Sequence, residues 1–159
     1  MRVLGQRATR DARFRARLPP ERTLIGSFRG HLRGYVLPYE QRLIAAIRAL
    51  GVPVRLHICG NTRRIVEGMG QTGADIIDLD SPTSLGHARR AMRETQVLLG
   101  NIDPVRELRD GTPASVEAVL VECYEQAGAA YICGAGCEVS RGTPHANLEA
   151  MARFARSRS

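Results

Sequence analysis

In "VRLHICGN", residues 54–61, an apolar run ends in a histidine and a cysteine two positions apart, and a Gly-Asn turn follows at once. Side chains alternate along a strand, so His57 and Cys59 face the same way. At a rise of roughly 3.3 Å per residue they stand about 6–7 Å apart along the chain. A curl at the strand end lets both reach one ion, because zinc takes imidazole nitrogen at about 2.0 Å and thiolate sulfur at about 2.3 Å. Two ligands do not hold a catalytic zinc; three protein ligands beside one open position do. The third candidate is Cys137 in "YICGAGCEVS", which follows a Gly-Ala-Gly turn after another apolar run. One nitrogen and two thiolates form a soft donor set that suits zinc. The plain alternative is packing, since a buried cysteine often behaves as a small hydrophobe.

The remaining histidines and cysteines fit structural roles better. Cys123 lies mid-helix in "VLVECYEQ" and reads as core. Cys133 lies inside the last apolar run and reads as packing. His87 and His145 stand near helix starts and read as surface groups. Polar residues also close the other apolar runs: Asp78 and Asp80 in "IIDLD", and Asn101 and Asp103 in "LLGNIDP". In α/β folds the C-terminal strand ends line one mouth where sites collect. The same side chains also suit helix caps and turns, and Pro82 and Pro104 closely follow Asp80 and Asp103.

These residues are carried by a pattern of strands and helices. "YVLPYEQRLIAAIRALG" has near-helical apolar spacing, with Pro38 suited to the first turn and Gly51 to the stop. Four strand–helix units follow. "VPVRLHIC" precedes the helical "NTRRIVEGMGQTG", with Asn61 or Thr62 as its cap. "ADIIDLD" precedes a helix through "TSLGHARRAMRE". "TQVLLGNID" precedes "TPASVEAVLVECYEQAG". "AAYICGAG" precedes "PHANLEAMARFARSR". Such alternation predicts an α/β fold of parallel βα units. The strands are near-continuous apolar runs, as when both faces are covered. Four parallel strands form either a small open sheet or half of an eight-stranded barrel, which typically takes ~250 residues.

Composition narrows the function classes. The 159 residues are 43% hydrophobic, enough for one globular domain. No apolar run approaches the ~20 residues of a membrane span, and nothing at the start reads as a secretory signal, so a cytoplasmic location is expected. In a reducing cytosol four cysteines are more often packed, metal-bound or catalytic than paired. The formal charge of +7 first suggests nucleic acid, but residues 1–30 carry eight arginines against Asp11 and Glu21, leaving the rest nearly neutral. The chain has arginine and no lysine, which reads as compositional bias rather than a binding surface. Residues 1–30 read as an Arg-rich, atypical or poorly ordered leader, and 31–159 as the folded part.

"YVLPYEQRLIAAIRALGVPVRLHICGNT", "TGADIIDLD", "LLGNIDPV" and "GAGCEVSRGTPHANLEAM" resemble, in unbroken order, the C-terminal half of the uroporphyrinogen decarboxylase family. The H-x-C motif is similar to that of its zinc-dependent branch, the methylcobalamin:coenzyme M methyltransferases. The resemblance implies about half of a TIM (β/α)8 barrel and zinc on His57, Cys59 and Cys137. It implies transfer of a methyl group from a corrinoid, carried on a partner protein, to a small thiol substrate activated by the metal. Asp80 and Asp103 are its candidate catalytic or orienting residues, and Asn61, Asn101 and Glu138 its candidate substrate-binding residues. Half a barrel leaves two sheet edges and one face unpacked, so a truncated or split gene product completed by a complementary chain, or by self-association, is expected.

Three rival readings stand beside it. Uroporphyrinogen decarboxylation in porphyrin biosynthesis belongs to the same family and works without the metal. A non-catalytic interaction or nucleic-acid-binding role would use the arginine-rich start. A structural zinc site would be closed by a fourth protein ligand, with Cys133 or Glu138 nearest in sequence.

Overall fold

The structure, a computed structural model, describes residues 32–158. The expected leader over residues 1–30 lies outside them. A short π-helical turn, Leu32–Val36, leads into helix α1, Leu37–Arg48. Then come β1 (Arg55–Ile58), α2 (Val66–Gln71), β2 (Ile76–Leu79), α3 (Leu85–Ala91), β3 (Val97–Ile102), α4 (Pro113–Ala127), β4 (Tyr131–Ala135) and α5 (His145–Ser157). The four strands form one parallel sheet in the order β1-β2-β3-β4. Each strand thus neighbours the next in sequence, which is the arrangement of half a (β/α)8 barrel.

Register shows what each face does. One row across the sheet reads Leu56, Ile77, Leu98, Tyr131. These side chains pack with Ile44 of α1, Met69 of α2, Ala88 of α3 and Ala127 of α4. A second apolar cluster joins Ile102 to Val116 and Leu120 of α4 and to Ala150 and Phe154 of α5. The adjacent row, one residue on, reads His57, Asp78, Leu99, Ile132. Because alternate residues point to opposite sides, this row faces away from the helices. In a closed barrel that face is the interior.

Local chemistry explains most element ends. Thr112 and Ser115 form a reciprocal capping box at the start of α4, where Pro113 follows the cap. Ser84 caps α3 by accepting from the His87 amide. Gly51 takes a positive φ of 78° after α1, the backbone that glycine adopts at least cost. One expectation is corrected. Helix α2 begins only at Val66, with Ile65 at the cap position and no side-chain cap. Asn61 instead accepts from the Arg63 amide, and Thr62 is buried against Thr83. On α1 only Leu37 and Ile44 are buried, while Leu43 on the helix and Val36 and Leu50 flanking it remain exposed; Ile44 is the residue that α1 sends into the apolar cluster under the sheet.

Candidate metal centre

His57 is the third residue of β1, and Cys59 lies just past the strand's end. Its Nε2 stands 3.1 Å from Cys59 Sγ. Cys137 lies two residues past β4, on the opposite edge of the sheet. Flat, four strands spaced about 4.8 Å apart would separate the outer two by roughly 14 Å. Yet the Sγ atoms of Cys59 and Cys137 are 3.7 Å apart. Sheet curl and the turn after β4 close the gap.

That turn depends on Gly136, whose backbone N–H donates to Ile102 O. Its Cα lies so close to the β2–α3 loop that an added Cβ would stand 2.5 Å from Ser81 N and 3.2 Å from Asp80 C. A side chain here would lift the turn and carry Cys137 away from Cys59.

His57, Cys59 and Cys137 each offer a ligand atom within 4.8 Å of the others. Two sulfurs about 2.3 Å from one tetrahedral zinc stand about 3.8 Å apart, which the observed sulfur spacing matches. A disulfide would bring them to about 2.05 Å; all four cysteines are free. The donor set therefore fits zinc. Cys59 is exposed and His57 and Cys137 partly covered, so the centre faces outward at the mouth. In the metal-free protein the Cys59 thiol is held above its ordinary pKa. Its hydrogen bond with Cys137 is the largest cause, followed by desolvation and by the charges of Cys137, Asp80 and Asp78.

Asp80 braces the same turn. Its Oδ2 accepts from the Gly60 amide at 2.6 Å and its Oδ1 from the Ser81 amide at 2.7 Å. Asn101 Nδ2 donates to Asp80 O at 3.1 Å and to Thr83 O, joining the ends of β2 and β3. Asp103 Oδ1 accepts from the amides of Val105 and Arg106, both 2.9 Å away. Glu138 is exposed beside Cys137, and Asn61 is exposed beside Gly60. The structure thus places Asp80 on the Gly60 turn next to Cys59 and sets the Asn101 amide and the Asp103 carboxylate into backbone-holding contacts. Cys123 is buried between α4 and the sheet, and Cys133 Sγ approaches Met151 O of α5 at 3.8 Å. His145 is exposed and pairs with Glu149 on the next helical turn.

Sequence reasoning did not single out Arg55 or Thr83. Arg55 donates through Nε and a terminal nitrogen to Asp78 Oδ2, at 2.8 and 2.5 Å. Thr83 receives the Thr62 amide at 2.9 Å and ties two mouth loops together. The available signal for Arg55 was its spacing: positions 55, 57 and 59 share one side of a strand.

Residues 29–158 match the family profile described as "Uroporphyrinogen decarboxylase (URO-D)". The chain belongs to the uroporphyrinogen decarboxylase family. Within it, the methylcobamide:CoM methyltransferase MtbA of Methanosarcina mazei is 37% identical over 123 residues, 77% of this chain and 35% of that protein. The uroporphyrinogen decarboxylase of a Synechococcus species is 31% identical over 126 residues, again 77% of this chain and 35% of that protein. A solved methyltransferase from Methanosarcina mazei superposes with a TM-score of 0.70 at 21% identity. That match covers 79% of this chain and 36% of the other, and it shows a shared fold. The chain spans about a third of the length of these relatives. Among the described residues no helix is long and apolar enough to cross a membrane.

Proposed function

We propose that this chain carries the zinc-holding part of a methyltransferase that passes a methyl group from a corrinoid, borne by a partner protein, to a small thiol. The observation that carries the reading is the convergence of one imidazole and two thiols within 4.8 Å. Similarity to the methylcobamide:CoM methyltransferase MtbA supports it. His57 through Nε2, Cys59 and Cys137 would hold the metal. A zinc ion there supplies the Lewis acidity that keeps an incoming thiol deprotonated at neutral pH, where a free thiol of pKa ~8.5 is mostly protonated. Two thiolates and one neutral imidazole balance the charge of the ion. The exposure of Cys59 leaves that side of the centre open to a substrate. Asp80 holds the Cys59–Gly60 turn through the Gly60 amide and so fixes where the thiolate points.

The residues for corrinoid docking and the rest of the pocket would come from the other half of a barrel. The open strand order β1-β2-β3-β4 and the exposed Ile132 on the face turned away from the helices support completion by a complementary half or by a second copy. Uroporphyrinogen decarboxylation is the second reading, favoured by the 31% identity to a decarboxylase. One assay separates them. The chain, alone and with a polypeptide supplying the first half of a barrel, is incubated anaerobically with methylcobalamin and a thiol such as coenzyme M or homocysteine. Zinc-dependent demethylation of the corrinoid, lost on chelation, is the expected result. Uroporphyrinogen decarboxylation that survives chelation, with no methyl transfer, overturns the proposal.

A further inference from the structure

Asp78 is a carboxylate inside the fold, with 1% of its surface exposed. It sits on β2 directly opposite His57 in the parallel register. Burying an unpaired carboxylate costs several kcal/mol, so its partners matter. Arg55, two residues before His57 on the same side of β1, sends two N–H groups to Asp78 Oδ2. His57 Nδ1 stands 3.0 Å from that same oxygen. The approach is bent, so Nδ1 has the distance of a hydrogen bond without its alignment. Asp78 Oδ1 and His57 Nδ1 are the two buried side-chain polar atoms, among the described residues, that lack a hydrogen-bond partner within the chain. One is a potential donor and the other an acceptor, on two side chains that already approach to 3.0 Å. The other ring nitrogen, Nε2, is the one that faces Cys59 Sγ at 3.1 Å.

We infer that Asp78, held in place by Arg55, is a positioning residue: it keeps His57 in the Nδ1–H tautomer and turns the Nε2 lone pair toward the two cysteines. A neutral imidazole can ligate through Nε2 only when the proton sits on Nδ1. A carboxylate behind that proton fixes the ring and raises the basicity of the ligating nitrogen. Arg55 neutralises the buried charge and locks the carboxylate through paired N–H bonds on one oxygen. The role rests on the metal reading above, yet the tautomer it predicts exists without metal.

The test therefore has two parts. Nitrogen-15 NMR of metal-free protein, at a pH where the ring is neutral, should show His57 protonated on Nδ1. Asp78→Leu, which removes the acceptor, should give a mixture of tautomers. Chelator competition should then show zinc binding about 10–100-fold weaker in Asp78→Leu. Asp78→Glu should recover part of that loss. Gln96→Ala removes a buried amide that holds Gly70 O and Ala74 O, remote from the centre. It should lower stability and leave zinc affinity unchanged, so a merely structural role for Asp78 would look different. Wild-type His57 protonated on Nε2, or an Asp78→Leu variant with wild-type zinc affinity, overturns the inference. Wild-type protein that binds no zinc but has the Nδ1–H tautomer sinks the metal reading and leaves the positioning contact standing.

Discussion

Cys59 and Cys137, separated by 78 positions in the chain, hold their sulfurs 3.7 Å apart across a sheet whose outer strands carry them. Their thiols meet beside the imidazole of His57 at the C-terminal mouth. Nothing local fixes that spacing; it is a product of sheet curl and one close backbone contact.

Zinc binding is the first consequence. His57→Ala, Cys59→Ala and Cys137→Ala should each lose most bound zinc, a larger loss than the roughly 10–100-fold for an outer hydrogen-bond partner. Cys123→Ala should keep it. Metal analysis of the purified variants reads this directly. Chelator should lower the melting temperature of the wild type and not of Cys137→Ala, because a ligand at 100 times its Kd adds about 2.7 kcal/mol to folding.

Asp80 should act through the turn it holds. Asp80→Ala strips the acceptor from the Gly60 and Ser81 amides, bonds of a charged kind worth about 1.5–3 kcal/mol each. Thermal denaturation should show the lost stability. A titration should show zinc affinity about tenfold weaker, within the range for groups behind a ligand. Unchanged zinc affinity would leave Asp80 with a purely structural part.

Gly136→Ala should separate the two sulfurs. The new methyl would meet Ser81 N at 2.5 Å, so either the turn or the Asp80–Ser81 backbone must shift. Overpacking of this kind costs about 1–3 kcal/mol. Zinc affinity should fall at least as far as in Asp80→Ala, and crosslinking of Cys59 to Cys137 by a short bifunctional thiol reagent should slow. The same substitution at Gly34, where a Cβ meets nothing within 4 Å, should leave both unchanged.

Tyr131 sets an alkaline limit. Its phenol donates to Gly100 O, and burial, with the neighbouring Cys123 and Cys133 adding, raises its pKa far above the ordinary value. A raised pKa in the folded state means stability is fully present below the unfolded tyrosine pKa of about 10. Above it the unfolded chain ionises and the folded phenol does not, so stability falls by about 1.4 kcal/mol per pH unit from this group. Tyr131→Phe should cost about 1 kcal/mol near neutral pH and show a shallower alkaline slope in denaturant melts. An identical slope in both proteins would place the phenol in contact with solvent.

Much of the fold was legible because its signals are local. Helix α4 announces itself through Thr112, Pro113 and a 15-residue span, and each strand through an apolar run bounded by polar residues. The start of α2 was misread because Asn61 and Thr62 are good caps in isolation. Thr62 is drawn instead to Thr83, 21 positions on. The exposure of Leu43 and Leu50 was hidden for a related reason: periodicity tells which side of a helix is apolar, and only packing tells how much of it is covered. Arg55 was passed over because its partner Asp78 lies 23 residues away and becomes a neighbour only through the β1–β2 register.

The amino-acid order alone determined the donor types, the two-residue spacing that puts His57 and Cys59 on one side of a strand, and the placing of Cys137 just past another. Those are properties of neighbouring residues and of backbone alternation. Only the tertiary structure decided that the third donor arrives, that Asp78 stands behind the imidazole, and that Gly136 must lack a side chain. Each of those is a contact between strands, and its distance is set by how the sheet curves and in which register its strands pair.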